Sequence, residues 1–262
     1  MKPVYIVTIT DGNITPLEIT LNSIDGQNLN NYKNLVISKS SLQNLNHKFR
    51  TKKRIFILKK NSSIYEAMNC GLKRSKNNTV IFLNAGDIFF SESSLNKILQ
   101  YSKRYNFKTC IMFVSILKNK KNYFVPKKKV FFNTDFLTHS SFIRPPEKND
   151  RGFNNEKKIT ADGEWMKNNV KRFNIKKIYI PLSVFTLGGI SNFPSKKSLM
   201  MKTNNGPCVI LKEFLKLVLL KIVGANLFYK IIYYFKYDRI NHYEFYQLYK
   251  KDLRNKNKYN KF

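Results

Sequence analysis

The sequence predicts an α/β fold, a mostly parallel sheet flanked by helices, on three observations. Short runs rich in Ile, Val and Phe alternate with longer segments of helical character. That alternation is the pattern of strand–helix–strand units, in which each crossover helix covers the sheet. With 262 residues, 42% of them apolar, the chain can bury one good core.

The first strand is expected over 4–9, followed by a helix over 15–24 and by strands over 34–37 and 54–58. A helix over 63–74 has the best-marked start, because Ser63 and Glu66 match a capping box and Ile64, Met68 and Leu72 repeat at helical spacing behind it. Next come a strand over 79–83, a helix over 92–105 and a strand over 110–117. The second half offers a helix over 162–172, a strand over 177–185 and a turn at Gly188 and Gly189. Beyond Pro207 the composition shifts to apolar residues mixed with Lys and aromatics. A boundary near Gly206 therefore divides a main unit, 1–206, from a basic aromatic helical extension, 207–249, and a charged tail, 250–262, whose last dozen residues read as disordered.

The chain carries 48 Lys and Arg against 16 Asp and Glu, a formal charge of +32. Such a field attracts polyanions: nucleic acid, anionic lipid and phosphorylated substrates. Lys and Asn are abundant together, so compositional drift towards A and T explains part of the excess equally well. Cys70, Cys110 and Cys208 are odd in number and widely spaced, which argues against a disulfide framework or a zinc site and for a reducing, cytoplasmic compartment. The opening residues lack the pattern of a secretory signal. Lys212, Glu213, Lys216, Lys221 and Lys230 interrupt the most apolar region, so no spanning helix is expected.

The apolar run 80–83 ends abruptly in Asn84-Ala85-Gly86-Asp87, which sets a carboxylate where a buried strand leaves the sheet. Ligands of open α/β sheets bind at that edge. A carboxylate there suits Mg²⁺ or Mn²⁺ held against a diphosphate, although Gly and Asp are also ordinary turn residues. Asp162, two positions before Glu164, stands at a helix start, where it serves equally as an N-cap or as a catalytic carboxylate.

The stretch Ser63-Ile-Tyr-Glu-Ala-Met-Asn-Cys-Gly-Leu-Lys73, followed by Ile81-Phe-Leu-Asn-Ala-Gly-Asp87, resembles family-two glycosyltransferases, especially the branch near colanic-acid and other surface-polysaccharide enzymes. Arg151 to Glu156, Ile159 to Trp165 and Gly188 to Ser191 fall in the same order as further landmarks, so the resemblance covers 4–191. It implies an A-type, Rossmann-like fold, a nucleoside-diphosphate sugar donor (a UDP-sugar first), a divalent cation and inversion at the anomeric carbon. It also implies a hydroxyl acceptor on a glycan, often lipid-linked, and peripheral attachment at the inner face of a plasma membrane. On that resemblance Asp87 is the metal ligand, and Asp162 is the general base with Glu164 in reserve. Thr8, Ser38, Ser40, Tyr65, Met68, Asn69 and Asn84 surround the donor, and His139 contacts substrate.

Two donor-site carboxylates usual in such enzymes are replaced here. Ser38-Lys39-Ser40-Ser41 stands where an acidic cluster follows the second strand, and Asn61 stands where an Asp precedes the helix. Ser38 or Ser40 can bond a uracil as neutral contacts, whereas an inactive copy is the alternative. The rival class is a basic nucleic-acid-binding protein, motivated by acid-free Lys- and Arg-bearing stretches at 47–60 and 118–129. No zinc-finger spacing or aromatic RNA-binding motif supports it. The aromatics and lysines of 228–236 suit an interfacial position on anionic membrane or, equally, a packed helical subdomain.

Overall fold

The computed structural model describes residues 2–119, 122–133, 138–157, 160–187, 207–234 and 236–254. Strands β1 (Val4–Thr10), β2 (Tyr32–Ser38), β3 (Arg54–Leu58) and β4 (Thr79–Phe82) form a parallel sheet of order β3-β2-β1-β4. Helices α1 (Ile14–Asp25) and α2 (Ile64–Arg74) provide crossovers within it. The strands are apolar on both faces because both faces are covered. Val4, Ile6 and Ile81 pack with Leu17, Leu21 and Ile24 of α1 on one side, and Val7, Ile9, Val80 and Phe82 pack with Met68 and Leu72 of α2 on the other. Helix α2 starts as the sequence predicts. Ser63 accepts from the Glu66 amide at 3.1 Å while the Glu66 carboxylate accepts from the Ser63 amide at 2.6 Å. Gly71 lies directly against β1, where any added side chain would run into Val7.

The second half is a mixed sheet, which keeps the whole within the mostly parallel pattern expected. Its strands are β5 (Ile88–Phe89), β6 (Cys110–Asn119), β7 (Asn122–Pro126), β8 (Phe142–Ile143), β9 (Ile175–Thr186) and β10 (Tyr237–Ile240), in the order β10-β7-β6-β9-β5 with β8 beside β6. Only β6 and β9 run parallel among these pairs. A bridge between Val80 and Arg144 joins the two sheets edge to edge. Helices α3 (Ser94–Arg104), α4 (Lys128–Asn133) and α5 (Ala161–Phe173) pack around them.

The expected boundary near Gly206 and the Gly188–Gly189 turn lie outside the described residues. Past them, α6 (Pro207–Tyr233) is interrupted at Gly224, and α7 spans His242–Arg254. Residues 250–254, read from sequence as the start of a charged tail, continue α7 instead, and the physical reason is Asp252. Its carboxylate is 6% exposed, lies 2.7 Å from the Lys97 ammonium of α3 and accepts from Ser93 at 3.2 Å. Lys97 is wholly buried and also donates to the Pro181 carbonyl at 2.9 Å. Burial pulls its pKa below the usual lysine range, and Asp252 opposes that pull. Removing one member of a buried pair strands the other charge, so Asp252→Ala should cost about 3–5 kcal/mol, read as a lower urea midpoint at unchanged slope.

Candidate functional site

The carboxyl ends of β1 and β4, the start of α5 and the end of β9 meet at one point, and the sequence-predicted Asp87 and Asp162 meet there with them. Asp87 reaches it through a tight turn. Its amide donates to the Asn84 carbonyl at 2.9 Å, and Gly86 takes the left-handed φ of 97° that the turn requires. Thr20 of α1 locks the turn, accepting from the Gly86 amide at 2.9 Å and donating to the Asp87 carbonyl at 2.7 Å. Asp87 is buried, and its Oδ1 accepts from the Thr186 amide at 3.1 Å.

His139 lies between the two carboxylates. Its Nε2 is 3.5 Å from Asp87 Oδ2 and its Nδ1 is 3.6 Å from Asp162 Oδ2, with the Phe185 ring edge-on at 5.5 Å. Burial alone would favour the neutral imidazole, but the flanking carboxylates outweigh it and raise the His139 pKa to about 9. Burial would likewise raise Asp162, yet His139 and backbone amides at the start of α5 hold it below the ordinary value. At Asp87 burial prevails and the pKa is raised despite His139 and the Thr186 amide. An imidazolium between two ionised carboxylates leaves one negative charge uncompensated.

Asp162 lies in the first turn of α5, whose N-cap is Thr160, so it is not the cap itself. Tyr65 of α2 ties it down: the phenol donates to Asp162 Oδ1 at 3.4 Å and accepts from the Ala161 amide at 3.1 Å. Tyr65 also stacks on Phe153, which in turn stacks on Trp165. Asn69 clasps the same loop, accepting from the Phe153 amide at 2.7 Å and donating to the Phe153 carbonyl at 2.9 Å. Glu164, the reserve base, points away into an ion pair with Lys157 at 2.8 Å, its side chain 44% exposed.

Other expected donor contacts divide by position. Asn84 lies in the site, 3.1 Å from His139 Nε2, and its Oδ1 is buried without a protein hydrogen-bond partner. Ser38 and Ser40 lie together at the end of β2, where the Ser38 hydroxyl donates to the Ser40 carbonyl at 2.7 Å. Thr8 and Met68 are fully packed inside. The Thr8 hydroxyl accepts from Asn34 at 3.1 Å within a buried network that continues through Arg54 to Asp25, and Met68 belongs to the core under α2. Both ring nitrogens of His139, expected from the sequence to contact substrate, face protein groups. Sequence reasoning missed Thr20 and Thr186. Neither belongs to a recognisable motif, and both act through where the fold puts them.

Among the described residues no group of three or more His, Cys, Asp or Glu is placed to hold a metal ion, so a hard divalent cation would find only a partial set of ligands here, Asp87 and Asn84. The Asn84 amide nitrogen and the Asp87 carboxylate flank the same imidazole nitrogen, Asn84 Oδ1 is left without a protein partner, the local charge is negative, and such ions complete their shell with water and phosphate oxygen.

No family model and no curated protein sequence matches the chain. Solved structures do. The 1–349 fragment of S. aureus TarS in complex with UDP superposes with a TM-score of 0.61 at 16% identity, over 77% of this chain and 63% of that one. The same fragment with UDP-GlcNAc gives 0.59 at 18% identity, over 82% and 67%. The Pyrobaculum calidifontis mannosyltransferase PcManGT, in complex with GDP-Man and Mn²⁺, gives 0.54 at 10% identity, over 88% and 79%. The chain thus spans less than two thirds of the UDP-bound fragment, and at these identities the likeness establishes the fold. That fold is the A-type glycosyltransferase fold, a mixed α/β structure with a mostly parallel sheet flanked by helices.

Tyr65→Phe tests the tie between α2 and α5. It deprives the buried Ala161 amide of its acceptor, so the variant should lose about 1–3 kcal/mol of stability by denaturant titration.

Proposed function

We propose that the chain is a glycosyltransferase that moves a sugar from a nucleoside diphosphate to a hydroxyl of a glycan acceptor. The observation that carries this reading is the Asp87–His139–Asp162 arrangement at the carboxyl edge of a parallel sheet, where ligands of such sheets bind. The superposed proteins are bound to UDP, UDP-GlcNAc and GDP-Man, which supports a nucleotide-sugar donor. The likeness of Ser63–Lys73 and Ile81–Asp87 to surface-polysaccharide enzymes supports a lipid-linked glycan as the acceptor.

The two carboxylates take different tasks. Asp87, with Asn84, would hold a Mg²⁺ or Mn²⁺, which when bound offsets the charge of the departing diphosphate. Asp162 receives the proton of the acceptor hydroxyl as the new glycosidic C–O bond forms and the bond from the anomeric carbon to the phosphate oxygen breaks. Attack opposite the leaving group inverts that carbon. Tyr65 and His139 hold the base: the phenol fixes Oδ1, and the imidazole fixes Oδ2 while facing Asp87 with its other nitrogen. His139 is therefore a positioning residue here. Ser38 and Ser40, at the end of β2, are the neutral contacts offered to a nucleotide base.

Titration calorimetry with UDP, GDP, ADP, TDP and CDP, each with Mn²⁺, tests donor binding. At least one should bind, and EDTA or Asp87→Asn should weaken it. No heat from any of them, beside tight binding of single-stranded DNA, would instead favour the nucleic-acid reading of the basic surface. Once a donor is found, Asp162→Asn should leave its binding nearly intact while lowering kcat by about 10²–10⁴, the usual worth of a positioned base. Near-normal turnover in that variant, with Glu164→Gln crippled, moves the base to Glu164.

A further inference from the structure

A cavity of about 640 Å³ lies between α5 and the loop 149–152, a volume in the range of small-molecule sites. The loop contributes Asn149 and Arg151 to its wall, and α5 contributes Trp165, Asn168, Asn169 and Lys171. None of Asp87, His139 and Asp162 lines it, so it is a separate place from the candidate site. Arg151 opens one of the stretches that the sequence marks as a landmark, and the candidate site makes no use of it.

The cavity is positive because the acids around it are already taken. Asp150 accepts from Trp165 Nε1 at 3.0 Å and lies 3.2 Å from the guanidinium of Arg144, which is buried. Glu147 is paired in the same way with Arg172 at 3.2 Å. Arg151 and Lys171, by contrast, are exposed and have no ion-pair partner among the described residues. Lys171 stands in the last turn of α5, where the helix itself favours a cation, but Arg151 on the facing loop has no such reason to be there. Two cations brought into one cavity by separate elements repel each other, and an anion bound between them reverses that cost.

The rest of the wall selects the anion. Each asparagine amide offers two donors and an acceptor, the complement of hydroxyl groups. No ring is offered for stacking: Trp165 is stacked on Phe153 at 4.7 Å and takes Phe82 and Phe142 edge-on at 5.6 Å. A nucleotide base, which binds by stacking, therefore finds no platform, whereas a sugar that carries a phosphate matches both the cations and the amides. We propose that the cavity between α5 and the loop 149–152 binds a phosphorylated saccharide, with Arg151 and Lys171 on the phosphate and the asparagines on the hydroxyls. The proposal goes beyond the transferase reading and does not need it.

Trp165 is the single tryptophan of the chain, so its emission reports on this cavity. With the full chain, glucose-6-phosphate should give heat in titration calorimetry and change the Trp165 emission. Inorganic phosphate should bind more weakly, and glucose should give neither signal. Arg151→Gln and Lys171→Gln should each weaken glucose-6-phosphate about tenfold, the worth of a hydrogen bond to a charged group. The urea midpoint should not move, since both side chains are exposed in the folded protein. Glucose or inorganic phosphate binding as tightly as the sugar phosphate overturns the proposal, as does normal binding by both variants. Absence of heat from glucose-6-phosphate overturns it too. So does its displacement by UDP with Mn²⁺, which assigns the phosphate to the donor site. A chain that binds no nucleotide at all leaves the expected result standing, so this proposal and the transferase reading fail separately.

Discussion

A buried imidazole held between two carboxylates is the constraint on which the rest of the site depends. Asp87 arrives on a turn after β4, His139 on a segment just before β8, and Asp162 in the first turn of α5. Asp87 and His139 are buried and the Asp162 side chain is one third exposed, and charged groups so withdrawn from water are costly unless they compensate one another. The surrounding fold is arranged to keep them in register. Thr20 fixes the turn from below, the Thr186 amide fixes the Asp87 oxygen from β9, and Tyr65 fixes Asp162 from α2. Loss of alignment in any of these elements would leave a buried charge without its partner.

The parallel half was legible in the sequence because its signals are local. Continuous apolar runs mark strands covered on both faces, and the capping box at Ser63 marks a helix start whether or not the rest of the chain is folded. The mixed half was less legible. Strand β5 has two residues, and β10 exists through its pairing with β7, a relation between segments more than a hundred positions apart. Within the site, Asp87 and Asp162 stood out because a carboxylate next to a strand end or helix start is a local pattern. Thr8 lies in the first strand and Met68 in the motif that starts at Ser63, but their side chains point into the sheet network and the core. A motif preserves the backbone course of a crevice as well as its contacts, and sequence alone does not separate the two. Asn69 illustrates this. Its amide holds the loop at Phe153 in place, so its position in the motif serves the shape of the site.

The excess of positive charge is distributed by the same logic. Where lysine meets a buried acid, as at Lys97, it is part of the core. Where it stands among exposed residues, as Lys221 does beside Ile222 on α6, it faces outward. The sum of charges in the sequence does not distinguish these cases, whereas burial does.

The pairing of Lys97 with Asp252 also bears on the order in which the molecule can be completed. The two residues are 155 positions apart, so during synthesis the ammonium of α3 emerges long before the carboxylate that belongs beside it. Until α7 leaves the ribosome, Lys97 must remain hydrated, and the pocket formed by Phe90, Ser91, Ser93 and Pro181 must stay open. The nascent first half can form its parallel sheet early, but closure of this corner waits for α7. Helix α7 is in that sense a fastening applied late, after the elements that it closes have been made.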